Sequence, residues 1–417
     1  MAVSIKSVPL FLILFLLLQC SKSLIIAQNS KPIATQTATN RQFTFLDFNK
    51  ISKVKARIKE KSSPYKKAYD NLIKLADKAL KTELTSVVQK TQTPPSGDKH
   101  DYLSLAPYFW PDTTKADGLP WIRKDGQVNP LTRGKNVDEP SKDVMITSAK
   151  NLAYAFYFSD DKKYAVRAIE VLQTWFVNAD TKMNPNLNFG QGIPGVNTGR
   201  GFGIIEFTGD LDIISAIEML RLGNTLEEKT DKALTKWLSD YANWMQTSKI
   251  GLAEKATTNN HGTWYDTQVT AILLFLKRDA EAKVVLEAFK KRIDHQIEAD
   301  GKQLEELART KSLSYSTMNL TAFSNIAYLG KAVNVDLWNY TSPKGGSIKK
   351  AYDFLQPYAM GAKAWDYPQL GGHLAEDIER LKGLFIKMGS MMDIKEYAEM
   401  AATSTDKSYP EMLVRPF

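Results

Sequence analysis

Three stretches of this 417-residue chain gather polar, titratable and aromatic side chains at spacings that could serve chemistry. The run Thr257-Thr258-Asn259-Asn260-His261-Gly262-Thr263-Trp264-Tyr265 sets amides, an imidazole, an indole and a phenol just ahead of an apolar helical pattern. Burying such groups idly is costly. A plainer reading stands beside it: Asn259, Asn260 or Thr263 caps the free N–H groups of the next helix, and His261 is a satisfied structural histidine.

The second stretch, Asp300 to Ser316, contains Arg309 and Tyr315 six positions apart. Residues six apart do not share a helix face, so guanidinium and phenol converge only if the chain bends between them. Otherwise Arg309 pairs with Glu305 one turn back and Tyr315 fills a core gap. The third stretch runs from Ser96-Gly97-Asp98-Lys99-His100-Asp101-Tyr102 through Pro107-Tyr108-Phe109-Trp110-Pro111 to Trp121-Ile122-Arg123. Flat aromatics beside cations suit sugar rings that bear carboxylates, with stacking on the rings and ion pairing at the acid. For Phe109 a plug beneath a surface loop is the simpler reading.

The elements that must position these residues are helical. Hydrophobic spacing predicts helices at about 50–82, 141–158, 161–178, 205–222, 227–249, 264–277, 280–299, 319–332, 347–360, 372–388 and 393–403, with few alternating strand patterns. Residues 90–138 and 180–204 resist helix assignment, are dense in Pro, Gly, Asn and aromatics, and are long enough to suggest function. Many helices of similar length joined by short turns fit an all-α toroid of about six or seven helical hairpins, one domain over 43–417, with the long loops lining one mouth.

Residues 1–28 carry Lys6 and an apolar run from Val8 to Leu18, too short for a comfortable membrane span, and read as a secretory signal. Residues 29–42 read as a flexible polar leader. Cys20 is the sole cysteine, so a chain cleaved after residue 28 has no thiol, and a lipid tether at Cys20 is the less favoured alternative. Cleavage removes Lys6 and Lys22 and leaves 53 basic against 46 acidic residues, net +7. An exported basic protein, periplasmic or extracellular, suits a polyanionic partner. Nucleic acid is disfavoured because the cations are dispersed over many helices. The histidines His100, His261, His295 and His373 show no metal-ligand spacing, and no cofactor is expected.

The order of Gly97-Asp98-Lys99-His100-Asp101-Tyr102, Pro107-Tyr108-Phe109-Trp110-Pro111, Asn260-His261 and Arg309 through Tyr315 resembles the alginate lyase domain of secreted bacterial polysaccharide lyases, nearest to families 5 and 38. The resemblance implies β-elimination on a 4-O-linked polyuronate, with Asn260, His261, Arg309 and Tyr315 as catalytic residues. Asn260 and His261, with Arg309, would neutralise the C6 carboxylate so that C5 can lose its proton. Tyr315 would be base and acid, with Arg309 favouring its phenolate. One tyrosine suffices where the C5 proton and O4 lie on the same side, as in mannuronate and glucuronate. Guluronate needs a second group, His261. Polymannuronate or glucuronan is therefore the expected substrate, held by Lys99, His100, Tyr108, Trp110, Arg123, Arg200, Tyr265 and Lys302.

Two alternatives stay open. A glycoside hydrolase would need two facing carboxylates, for which Glu206 and Asp210 are the candidates. An exported glycan-binding protein would need only the aromatic and basic loops.

Overall fold

A computed structural model describes residues 41–60, 62–397, 400 and 410–416, all within a compact unit spanning Thr35–Phe417. The expected signal, the lipid tether at Cys20 and most of the leader lie outside the described residues. Arg41, assigned to the leader for its polar surroundings, is instead docked. Its guanidinium donates to the Leu274 carbonyl at 2.7 Å and pairs with Asp279 at 2.9 Å.

Long helices dominate: α1 Phe48–Arg57, α2 Lys66–Lys81, α3 Glu139–Ser159, α4 Lys162–Phe176, α5 Asp210–Leu222, α6 Glu228–Thr247, α7 Lys249–Lys255, α8 Asn260–Phe275, α9 Asp279–Gln296, α10 Leu304–Leu307, α11 Ser312–Gly330, α12 Ile348–Ala359 and α13 Leu374–Met392. The single helix expected over 50–82 is two, because Ser62-Ser63-Pro64 interrupts it and Pro64 cannot continue the backbone ladder. Of the helix expected at 393–403, residues 395–397 and 400 are helical, and 398, 399 and 401–403 lie outside the described residues.

Two kinds of helix build the toroid. α3, α5, α8, α11 and α13 pack on one another in succession, while α2, α4, α6, α9 and α12 each pack on an inner helix from outside. Sequence explains the division. α8 and α11 are apolar or small around nearly their whole circumference and are buried accordingly. α9 keeps an apolar stripe of Ala282, Leu286, Phe289 and Ile293 facing inward and charges elsewhere. Inner helices with no charged face must be enclosed, and a ring of amphipathic partners does so.

The two long loops carry the short strands: β1 Leu103–Leu105, β2 Phe109–Trp110, β3 Ile122–Arg123 and β4 Phe189–Gly192. β1 runs parallel to β4 and ties the loops together, and β2 pairs antiparallel with β3, setting Phe109 opposite Arg123. Phe109 and Arg123 of the β2–β3 hairpin thereby line the same cleft as residues of α8 and α11. No helix among the described residues is long and apolar enough to cross a membrane.

Candidate active site

α8 begins at Asn260, four residues earlier than its apolar pattern suggests, because Asn259 supplies the cap: its side chain accepts from the His261 N–H at 3.1 Å. Asn260 and His261 thus occupy the first turn. Gly262 is required next to them. A Cβ there would stand 2.1 Å from Arg292 Nη1 and 2.3 Å from the Thr257 carbonyl. Arg292 crosses this gap to bond Asp266 at 2.5 Å and the carbonyls of Thr257 and Lys255 at 2.6 and 2.7 Å, clamping the α7–α8 turn.

A buried carboxylate stands behind each of the two residues. Glu254, fully buried at the end of α7, accepts from His261 Nδ1 at 2.7 Å, which leaves Nε2 for the cleft. Glu306 on α10 accepts from the Asn260 N–H and from Asn260 Nδ2, both at 2.8 Å. Burial pushes the Glu306 carboxyl up to about 7 against the pull of those two hydrogen bonds.

The bend between Arg309 and Tyr315 is real. α10 stops at Leu307, α11 starts at Ser312, and the turn lets Arg309 lie over the Tyr315 ring, 3.7 Å from its centroid. Arg309 does not pair with Glu305, which faces His295 at 3.3 Å. Its fork goes to Asp125 in the hairpin segment, with Nη2 at 2.8 Å and Nε at 3.2 Å. Arg123 and the Thr310 hydroxyl also bond Asp125, at 2.7 and 2.9 Å. Burial works against ionisation of Asp125, but these hydrogen bonds outweigh it and hold its pKa well below the usual carboxylate range.

Tyr315 donates its hydroxyl hydrogen to the Tyr108 hydroxyl at 2.8 Å. Its pKa is raised well above the ordinary phenol value, first by burial, then by Tyr108; Arg309 acts in the opposite direction and is outweighed. Arg309 does favour the phenolate, as expected, but burial and Tyr108 outweigh it, and Tyr315 keeps its proton. Asp125, which pairs with the guanidinium, adds a smaller push in the same direction as burial and Tyr108.

Tyr108, Arg123, Arg200, Asn260, His261, Arg309 and Tyr315 border one open cleft of about 990 Å³. Gly190 and Gly203 pack backbone to backbone, since a Cβ on Gly203 would lie 2.6 Å from Gly190. This contact draws the 189–203 loop against α7 and α8. Phe202 then stacks on His261 at 4.0 Å between centroids, and Arg200 lies 4.6 Å from the Phe202 ring and 5.3 Å from Phe109. Burial lowers the Arg200 pKa to about 10. Among the described residues Arg200 has no ion-pair partner, whereas Arg123, Arg133, Lys142 and Arg309 each have a carboxylate.

Five expected sugar contacts lie elsewhere. Tyr265 is 1% exposed and spends its hydroxyl on the Met245 carbonyl at 2.9 Å, so it is a core residue. Trp110 is on the hairpin but outside the cleft lining, its indole N–H on the Gln127 carbonyl and Lys124 over its ring. Lys99 reaches back to the carbonyls of Lys90 and Thr91. The His100 ring meets the Lys182 carbonyl at 2.5 Å, and Lys302 pairs with Asp300 at 2.8 Å. Of the carboxylates a hydrolase would use, Glu206 borders the cleft and accepts from Tyr102 at 2.8 Å. Asp210 is 1% exposed, with both oxygens enclosed, and burial holds it protonated. That pair cannot flank a sugar. No group of three or more metal-ligating side chains occurs among the described residues.

The helices form an α/α toroid, and its loops enclose a cleft bordered by Asn260, His261, Arg309 and Tyr315. The alginate lyase family model matches residues 86–365, and the chain belongs to that family. An alginate lyase from Bacteroides ovatus is 36% identical over 90% of this chain and 99% of its own, with a TM-score of 0.85. Alginate lyase A1-III from Sphingomonas species A1 shares the fold at 16% identity and a TM-score of 0.50, over 85% of this chain and 96% of its own. No curated protein matches significantly.

Proposed function

We propose that this protein cleaves alginate by β-elimination, leaving a C4–C5 double bond on the new non-reducing end, and that mannuronate linkages are its main target. The observation that carries this reading is the convergence of Asn260, His261, Arg309 and Tyr315 on one open cleft of about 990 Å³ that Arg200 also borders. The family assignment and the Bacteroides ovatus neighbour support it.

In this reading the substrate carboxylate docks against the first turn of α8. The N-terminal end of a helix favours an anion, and the cation Arg200 adds charge from the facing loop. Neutralisation there lowers the barrier to removing the C5 proton. Tyr315 passes a proton to O4 as the bond breaks. On mannuronate, where proton and leaving group share a side, Tyr315 also takes the C5 proton, and must first lose its own. That requirement predicts activity on mannuronate that rises with pH until another group intervenes.

A second reading concerns guluronate, whose C5 proton lies on the other side. His261, with Nδ1 held by Glu254, presents Nε2 as base, while Tyr315 is already the protonated acid that O4 needs. Glucuronan has the stereochemistry of mannuronate and is the remaining candidate. Export, as expected from residues 1–28, would bring the enzyme to the polymer.

Incubation with polymannuronate, polyguluronate and glucuronan, followed by absorbance of the unsaturated product, tests the proposal. Fastest turnover on polymannuronate is expected. Turnover of guluronate blocks alone would overturn the mannuronate assignment, and chain cleavage without unsaturation would favour a hydrolase.

A further inference from the structure

Glu306 is 1% exposed and lies directly behind Asn260, on the side away from the cleft. Its two oxygens take the Asn260 N–H and Nδ2 at 2.8 Å each, while Asn260 Oδ1 is buried with no hydrogen-bond partner. This is the wrong way round for a carboxylate-binding amide. The donor end is committed to Glu306, and the acceptor end is left for the substrate anion, which it would repel. The two ends of an amide have nearly the same shape, so the site accepts either orientation.

We propose that Glu306 is a positioning residue that sets which end of the Asn260 amide faces the substrate. Ionised, it holds Nδ2. Protonated, it keeps the Asn260 N–H on one oxygen and donates its own O–H to Oδ1, which turns Nδ2 toward the C6 carboxylate. The proton comes from solvent on binding and returns to solvent on release. The inference rests on the lyase reading, because it needs a carboxylate docking at Asn260.

Three observations support it. The turned arrangement gives Asn260 Oδ1 the partner it now lacks. An incoming carboxylate one amide away from an ionised Glu306 favours the protonated form by like-charge repulsion. Burial has already brought the Glu306 carboxyl to about 7, where both forms are populated. The charged groups acting on it are Arg309 and Glu305 from its own segment. The elements around it bring His261 on α8, His295 on α9 against Glu305, Asp125 in the hairpin segment against Arg309, and Tyr315 on α11.

Glu306→Gln imitates the protonated acid at every pH, since its amide N–H donates to Oδ1 while its oxygen keeps the Asn260 N–H. Two pH units above a pKa near 7, about one part in a hundred of the acid remains protonated. The ratio of kcat/KM on alginate at pH 9 to that at pH 6 should therefore rise by about 10- to 100-fold in E306Q relative to wild type. Glu306→Ala, which can do neither, should lose rate at both pH values. Independently of turnover, calorimetry of alginate binding to Tyr315→Phe at pH 8, in two buffers of different ionisation enthalpy, should register proton uptake. That uptake should vanish in Tyr315→Phe/Glu306→Gln.

An unchanged pH ratio in folded E306Q, or no proton uptake by Tyr315→Phe, overturns the inference while leaving the lyase reading intact. If E306Q does not fold, the uptake measured on Tyr315→Phe decides alone. Wild type that yields no unsaturated product from any uronan overturns the lyase reading and this inference with it.

Discussion

Arg309 lies over the ring of Tyr315, 3.7 Å from its centroid, while its Nε and Nη2 hold Asp125. The guanidinium is thus fixed between a catalytic candidate on α11 and a carboxylate more than 180 residues earlier. Its charge is shared before any substrate arrives.

Asp125→Asn should free Arg309 from its anchor. Displacement of a catalytic group by about 1 Å costs on the order of 10²-fold in rate, so kcat should fall by roughly that factor while KM moves less. Steady-state kinetics on alginate checks this. Equal loss in kcat and gain in KM would instead make Asp125 a substrate contact.

Asp125 also predicts an acid-sensitive term in stability. Its folded pKa is depressed by Arg309, Arg123 and Thr310 in spite of burial, so its stabilisation is present above the unfolded value of about 3.9 and is lost as pH falls further. Thermal melts between pH 5 and pH 2.5 should show a smaller decline for Asp125→Asn than for wild type.

Glu254→Gln tests the orientation of His261. The carboxylate holds Nδ1–H at 2.7 Å, and a carboxamide can present an N–H there instead, which selects the other tautomer and misdirects Nε2. General acid–base contributions are typically 10²–10⁴-fold, and a loss of kcat on the order of 10² is expected, with Phe202 stacking and fold retained. Unchanged kcat would make the contact purely structural.

Gly262→Ala places a methyl against Arg292 Nη1 and the Thr257 carbonyl. Overpacking of this kind costs about 1–3 kcal/mol, so Tm should drop and the Asn260–His261 turn should lose register. Alanine at Gly361, where a Cβ would meet no atom within 4 Å but the backbone φ is +70°, provides a contrast in which strain acts without a clash.

Much of the ring of helices could be anticipated, because the outer helices show one-sided apolar stripes and two inner helices, α8 and α11, are nearly free of charge. Asn260, His261, Arg309 and Tyr315 stood out because their side-chain types are unusual for their surroundings. Glu254, Glu306 and Asp125 did not. They sit among other charged residues, as in Leu304-Glu305-Glu306-Leu307, and read locally as solvated acids. What makes them distinctive is burial against partners 7, 46 and 184 positions away, and no short-range pattern encodes it. A weak signal existed for Glu306, which falls between two leucines on α10. Tyr265 failed in the other direction: aromatic side chains suit both sugar faces and cores, and the sequence alone does not separate the two.

The most direct measurement follows unsaturated product when wild type and Tyr315→Phe, each confirmed folded, are incubated with alginate under identical conditions. The account predicts steady formation by wild type and a fall of about 10²–10⁴-fold or more in the variant, because the proton donor to O4 is gone while the cleft and its cations remain. Equal rates in the two proteins would contradict it and move the acid to another group in the cleft.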